Sequence, residues 1–172
     1  MVTENMEMGS LSHLIHTSGQ GKKLSWRRRL KMLRDICRGM MCIQRMNIVH
    51  RDLKSANCLV DKHWTVKFCD FGLSRLMTEL PIKDSTAAGT PEWMAPELLR
   101  NEQFTDKCDV FSLGVIIWEL CTLKRPWEGV KPMQVVYSVA HEGPKLELTL
   151  LILLRNGSFN VSLHNNCQYQ MS

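Results

Sequence analysis

The sequence predicts an α+β fold dominated by helices, and three observations carry that expectation. Apolar residues recur every three to four positions over two long stretches, 25–46 and 105–121. Short β-branched or apolar runs separated by polar turns fall between them, at 48–49, 58–60 and 66–68. The segment from Gly72 to Pro96 is rich in Thr, Ser, Gly and Pro and keeps no period, which reads as a long functional loop.

The elements follow in chain order. Gly9-Ser10 introduces a short helix over Leu11-Ser12-His13-Leu14-Ile15, which ends in the loop Gly19-Gln20-Gly21. Ser25 is a good N-cap, and Leu30, Leu33, Ile36 or Cys37, Met40 and Ile43 then form one face of a long helix running to about Met46. The three short runs are expected to be small strands around a loop. Thr105 or Asp106 caps a second strong helix, with Val110, Leu113, Gly114, Ile117, Leu120 and Cys121 assigned to its buried side. Lys124-Arg125-Pro126-Trp127 closes it, and Pro132 opens a third helix through about His141. After Glu147 a bare apolar run, 148–154, leads into a polar tail.

The chain has 172 residues, 44% apolar and 23% charged, the mix of one folded domain rather than a disordered segment. Its 22 Lys and Arg against 17 Asp and Glu leave a net charge of +5, which permits an anionic ligand such as a nucleotide without suggesting DNA binding. No apolar run approaches the roughly 18 residues of a membrane span. The seven cysteines form no CxxC pair, and six of them lie within apolar patterns, so they are expected to be buried free thiols in a reducing, intracellular compartment. The basic run Lys22-Lys23 with Arg27-Arg28-Arg29 is read as a solvated helix start rather than a nucleic-acid patch.

The most informative segment is His50-Arg51-Asp52-Leu53-Lys54-Ser55-Ala56-Asn57, followed in order by Asp70-Phe71-Gly72 and Ala95-Pro96-Glu97. A lone tripeptide of this kind is weak evidence; three in sequence, with strands between the first two, are strong. The set resembles the signature of protein kinases over residues 1 to about 147. Lys54-Ser55 is the serine/threonine form. The stretch from Ser85 to Glu97, together with Asp70 to Arg75 and Trp118-Glu119-Leu120, resembles the tyrosine-kinase-like group, and within it the plant Raf-like kinases at the head of mitogen-activated cascades.

The resemblance implies a mostly helical C-lobe over 9–147, a hinge remnant over 1–8, an N-lobe largely missing, and a divergent tail at 148–172. It implies Mg²⁺ and ATP as cofactor and co-substrate, because phosphoryl transfer needs positioning and charge neutralisation more than covalent help. Asp52 is then the base that accepts the substrate hydroxyl proton, Lys54 steadies the transferred phosphate, and Asn57 and Asp70 hold Mg²⁺ as hard oxygen donors. Glu4, Met6, Leu59 and Asp70 line the nucleotide site, with Thr3 as gatekeeper. Arg51 pairs with a phosphorylated activation-segment residue, for which Ser85 and Thr86 are the first candidates. Thr90 contacts the base, Asp109 anchors the catalytic loop, His50 stacks on Phe71, and Glu97 normally pairs with an arginine farther along. Gln44 stands where the family usually has His, and a lost polar contact is expected there.

The implied partner is a protein substrate, a downstream MAP kinase kinase being one candidate, in the cytoplasm or alternatively the nucleus; no nucleic acid is implied, and the oligomeric state is left open. The 172 residues contain no Gly-rich loop and no Val-Ala-Ile-Lys lysine. An inactive isolated chain is therefore expected, and the rival reading is a non-catalytic truncated isoform or incomplete gene model that serves at most as an interaction module. Such a cut is also expected to leave the central helix, around Ile117 and Leu120, short of packing partners.

Overall fold

Ser10 caps the first helix, α1 (Leu11–His16), with its hydroxyl accepting the His13 N–H at 3.2 Å. The computed structural model describes residues 4–19, 24–78, 81–82 and 89–142, so the expectations for Thr3, Ser85, Thr86 and residues 148–172 lie outside it. Leu11, Leu14 and Ile15 of α1 are buried. Ser25 caps α2 (Trp26–Arg45), accepting from the Arg28 N–H. Its buried stripe is Met32, Leu33, Ile36, Met40 and Ile43. Burial of each such side chain contributes about 1.5–3 kcal/mol, against about 1 kcal/mol for a cap. Packing holds this helix, and the cap sets where it begins.

Gly39, inside α2, admits the next layer. A Cβ there would stand 3.0 Å from the Phe68 ring, so a larger residue would push the neighbouring strand away. That strand, β3 (Val66–Phe68), pairs antiparallel with β2 (Cys58–Val60), Cys58 opposite Phe68 and Val60 opposite Val66. Residues 8–10 run along the other side of β2: Met8 donates to the Val60 carbonyl and Val60 to that of Gly9. β1 (Ile48–Val49) pairs with β4 (Arg75–Leu76), a strand within the stretch expected to be unbroken loop. β4 is exposed and two residues long, so it carries no alternation to read; its partner, far back in the chain, makes it a strand.

A 3-10 turn (Pro91–Trp93) and the short helix α3 (Pro96–Leu99) lead to α4 (Lys107–Thr122). The expected buried face of α4 requires correction. Val110 and Gly114 are exposed, whereas Cys108, Asp109, Ser112, Val115, Ile116, Glu119 and Leu120 are buried. The inward stripe includes three polar residues, which apolar periodicity alone passes over. Leu120 is fully buried in the main core with α1, α2 and Leu53, so it has the partners it was expected to lack. Val49, Met94, Ala95, Leu98, Phe104 and Cys108 make a second, smaller core. The last described helix, α5 (Pro132–Tyr137), passes into a π-turn (Ser138–Glu142) rather than continuing as α-helix to His141.

Two further expectations change. Gln44 has its polar contact: its amide donates to Asp106 at 2.9 Å, tying α2 to the start of α4. Cys37 and Cys42 are exposed, while Cys58 and Cys108 are buried. Burial pushes the thiols of Cys58 and Cys108 well above the ordinary cysteine range, the second further raised by Asp109. Among the described cysteines, a thiol alkylator at pH 8 is therefore expected to modify Cys37 and Cys42 in the native chain, and Cys58 and Cys108 only in denaturant. Peptide mass spectrometry reads this directly; early labelling of Cys58 or Cys108 would contradict the packing.

Candidate active site

The segment between β1 and β2 cannot be regular, because Arg51 takes a left-handed backbone (φ 70°) that costs a non-glycine residue about 1–2 kcal/mol. A single buried carboxylate offsets that strain. Asp109 of α4 accepts the His50 N–H at 2.6 Å and the Arg51 N–H at 2.9 Å. Desolvation pushes the Asp109 carboxyl above the usual range, and the two N–H donors pull it part of the way back. The Arg51 guanidinium is buried over the Phe104 ring, 5.1 Å from its centroid.

Asp52, one residue on, presents its carboxylate to three donors. Lys54 Nζ lies 2.7 Å from Oδ2, the Thr90 hydroxyl donates to Oδ1 at 3.0 Å, and Asn57 Nδ2 reaches Oδ2 at 3.2 Å. Lys54 also donates to Thr90 Oγ1 at 2.8 Å, so acid, cation and hydroxyl form a closed triangle. Asn57 spends its amide N–H on the Asp52 backbone carbonyl as well, at 2.9 Å, which fixes its orientation. Thr90 comes from a segment far along the chain and is set by Gly89 (φ 138°), where a Cβ would crowd Met94 and stand 3.2 Å from the Arg51 carbonyl. Only glycine fits that approach comfortably.

Asp70 also has a left-handed backbone (φ 62°) and an exposed side chain, with Oδ1 within 3.4 Å of the Gly72 N–H. The turn before it is joined to the loop: Cys69 N–H donates to the Asn57 carbonyl at 3.0 Å, and His50 Nε2 lies 3.1 Å from the Cys69 carbonyl. That contact makes Nε2 the protonated nitrogen, since a carbonyl can only accept. Phe71 sits on the His50 ring at 4.7 Å between centroids. The Cys69 thiol is pushed up by burial and by the Asp70 charge, which argues against a reactive thiolate beside the site.

Asn57 and Asp70 are oxygen donors, and no cluster of three or more His, Cys, Asp or Glu exists among the described residues. That donor set suits a magnesium ion, which keeps several waters and takes its remaining ligands from phosphates. Asn57 commits its nitrogen to Asp52, which leaves its side-chain oxygen for such an ion. Glu4 pairs with Lys67 of β3, and the Met6 carbonyl accepts the Gly9 N–H in the turn that leads to Ser10, which bridges to Leu59. Glu97 is half-buried and has no ion pair among the described residues; Arg100 nearby pairs instead with Glu102 at 2.9 Å.

One group escaped the sequence reading. Glu119, fully buried in α4, accepts from Ser55 Oγ at 2.8 Å and Trp93 Nε1 at 2.8 Å, and meets His16 Nε2 at 3.0 Å. It joins the loop, the segment after Thr90 and α1 at one carboxylate. An acid among the apolar residues of the last turns of α4 is the available signal.

A family model for protein tyrosine and serine/threonine kinases matches residues 1–150. The chain is 53% identical over 150 residues to serine/threonine-protein kinase CTR1 of Arabidopsis thaliana, covering 86% of this chain and 18% of that protein. It is 52% identical to the probable serine/threonine-protein kinase SIS8 of the same plant, over 86% of this chain and 14% of that protein. It is 43% identical to the probable serine/threonine-protein kinase drkA of Dictyostelium discoideum, over 82% and 22% respectively. The chain thus spans less than a quarter of the length of these relatives.

Proposed function

Because this chain belongs to the protein tyrosine and serine/threonine kinase family, we propose that residues 50–70 form the catalytic floor of a serine/threonine protein kinase of the plant Raf-like kind. The observation that carries the reading is the Asp52 carboxylate, gripped by Lys54, Thr90 and Asn57 beside an exposed Asp70. A serine or threonine hydroxyl docks against Asp52, which takes its proton as the oxygen bonds to the γ-phosphorus of ATP. The bond to the bridging oxygen breaks in the same displacement, and ADP leaves. Lys54 lies where its ammonium meets the transferred oxygens. Asn57 and Asp70 would hold magnesium, which supplies neutralisation of the phosphate charge when bound.

In this reading residues 9–147 are the helical lobe and 1–8 the remnant of the hinge, with Glu4, Met6 and Leu59 along the adenine. The Met8 N–H donating to the Val60 carbonyl at 3.1 Å supports setting the hinge segment beside β2. Arg51 beside Asp52 is the acceptor for a phosphate on Ser85 or Thr86. A protein of the next tier of a kinase cascade is the substrate class. Replacing Ser85 and Thr86 together with Ala, in a kinase that carries these residues and is fully active, is expected to lower turnover at least tenfold; unchanged turnover would remove both from the regulatory role.

The rival reading is a non-catalytic interaction module. The deciding experiment fuses the chain behind the nucleotide-clamping lobe of a competent serine/threonine kinase. The kinase reading expects transfer to serine or threonine that drops about 10²–10⁴-fold in Asp52→Asn. No transfer, or transfer indifferent to that change, would favour the module.

A further inference from the structure

The basic run Arg27-Arg28-Arg29 divides in the structure. Arg29 turns inward and donates to the carbonyls of Leu24 at 3.0 Å and Cys121 at 3.1 Å, so it belongs to the packing of α2 on α4. Arg27 and Arg28 stay outside and, with Lys31, Arg34 and Trp64, line a half-open cavity of about 860 Å³. Positions 27, 31 and 34 are four and three residues apart, so their cations share one helix face and repel one another.

Of these cations, only Lys31 has an acidic partner among the described residues. The neighbouring acid, Asp35, is engaged by Lys31 at 3.0 Å and by the Val66 N–H at 3.4 Å. Among the described residues the side chains of Arg27 and Arg34 have no hydrogen bond or ion pair, and that of Arg28 has only its cation–π contact, 4.4 Å from the Trp64 centroid. Trp64 is in turn fixed: its N–H donates to the Asp61 carbonyl at 3.0 Å and its own carbonyl accepts from Lys31 at 2.9 Å. A guanidinium resting on an aromatic face is held in place yet keeps its N–H edges for a ligand. Ser25 also lines the cavity, so the positive end of a twenty-residue helix adds to the field.

We propose that this cavity binds a small, multiply phosphorylated anion. Several guanidiniums in one concavity match several phosphate groups, each taking paired N–H donors, better than they match a single carboxylate. The volume is that of a small-molecule site, and its concavity suits a compact polyanion rather than an extended strand. A free inositol polyphosphate and a phosphoinositide headgroup share this chemistry.

The test is calorimetry of the whole chain with inositol hexakisphosphate, alongside co-sedimentation with phosphatidylcholine vesicles containing phosphatidylinositol bisphosphate. Saturable binding that weakens with salt is expected, roughly tenfold weaker in Arg28→Gln and in Arg34→Gln. Arg38→Gln, exposed on the same helix but outside the cavity, is expected to bind as the parent does. Among the described residues the Arg34 side chain has no partner to lose, so its variant reads binding without disturbing Trp64, and circular dichroism checks that each variant is folded. Heat without co-sedimentation identifies the free anion, and both signals together identify the headgroup. No binding to either probe, variants that bind like the parent, or tighter binding of single-stranded RNA would overturn the proposal.

Discussion

Given Mg²⁺, ATP and a basic protein substrate, the 172-residue chain alone is expected to transfer no phosphate above background. Lys54, Asn57 and Thr90 are gathered on the Asp52 carboxylate. The nucleotide, however, would be held from one side only, by Leu59, the segment at Glu4 and Met6, and the magnesium ligands. Catalysis by positioning accounts for about 7–11 kcal/mol of a barrier, so losing half of it slows the reaction some thousands-fold. Water entering from the open side weakens the help from Lys54 further. A radiolabelled-phosphate assay comparing the chain with Asp52→Asn and Asp70→Asn checks this. Activity that disappears in both variants would show that these residues suffice by themselves.

Glu119→Ala is expected to cost about 3 kcal/mol or more, a large share of the roughly 5–15 kcal/mol that holds a domain together. The substitution strands the buried hydroxyl of Ser55 and the half-buried indole N–H of Trp93 and ring nitrogen of His16. It also leaves a void where the carboxylate was. Glu119→Gln keeps the volume but turns an amide N–H₂ toward one of the donors, and is expected to fall in between. Urea midpoints for the three proteins give the order. A Glu119→Ala midpoint equal to that of the parent would mean that the three donors find other partners.

The elements that could be read from the sequence are those whose signal is local. Ser25 marks the start of α2, a four-turn apolar stripe fixes its face, and β2 and β3 carry β-branched residues between polar turns. The residues around Asp52 were legible for a different reason: the chemistry admits few residue types there, so type and order suffice. What escaped depends on distant partners. Arg75 and Leu76 form a strand because Ile48 and Val49 lie opposite. The inward face of α4 was misjudged because Asp109, Ser112 and Glu119 look like solvent residues until His50, Trp93 and Ser55 are seen to approach them. Gln44 keeps a contact that the sequence does not reveal, because Asp106, its partner, belongs to another helix.

The hold of Asp109 on the His50 and Arg51 amides bears on how such a domain can diversify. The Asp52 carboxylate takes its place from α4, through the backbone amides of the two residues before it. Its placement is therefore insulated from whatever is presented in front. On the proposed kinase reading, substitutions before Gly89 are expected to change acceptor preference or regulation without resetting the geometry at Asp52, whereas Gly89 and Thr90 have to be kept. On the same reading, changes at Asp109 are expected to lower transfer to every acceptor peptide alike.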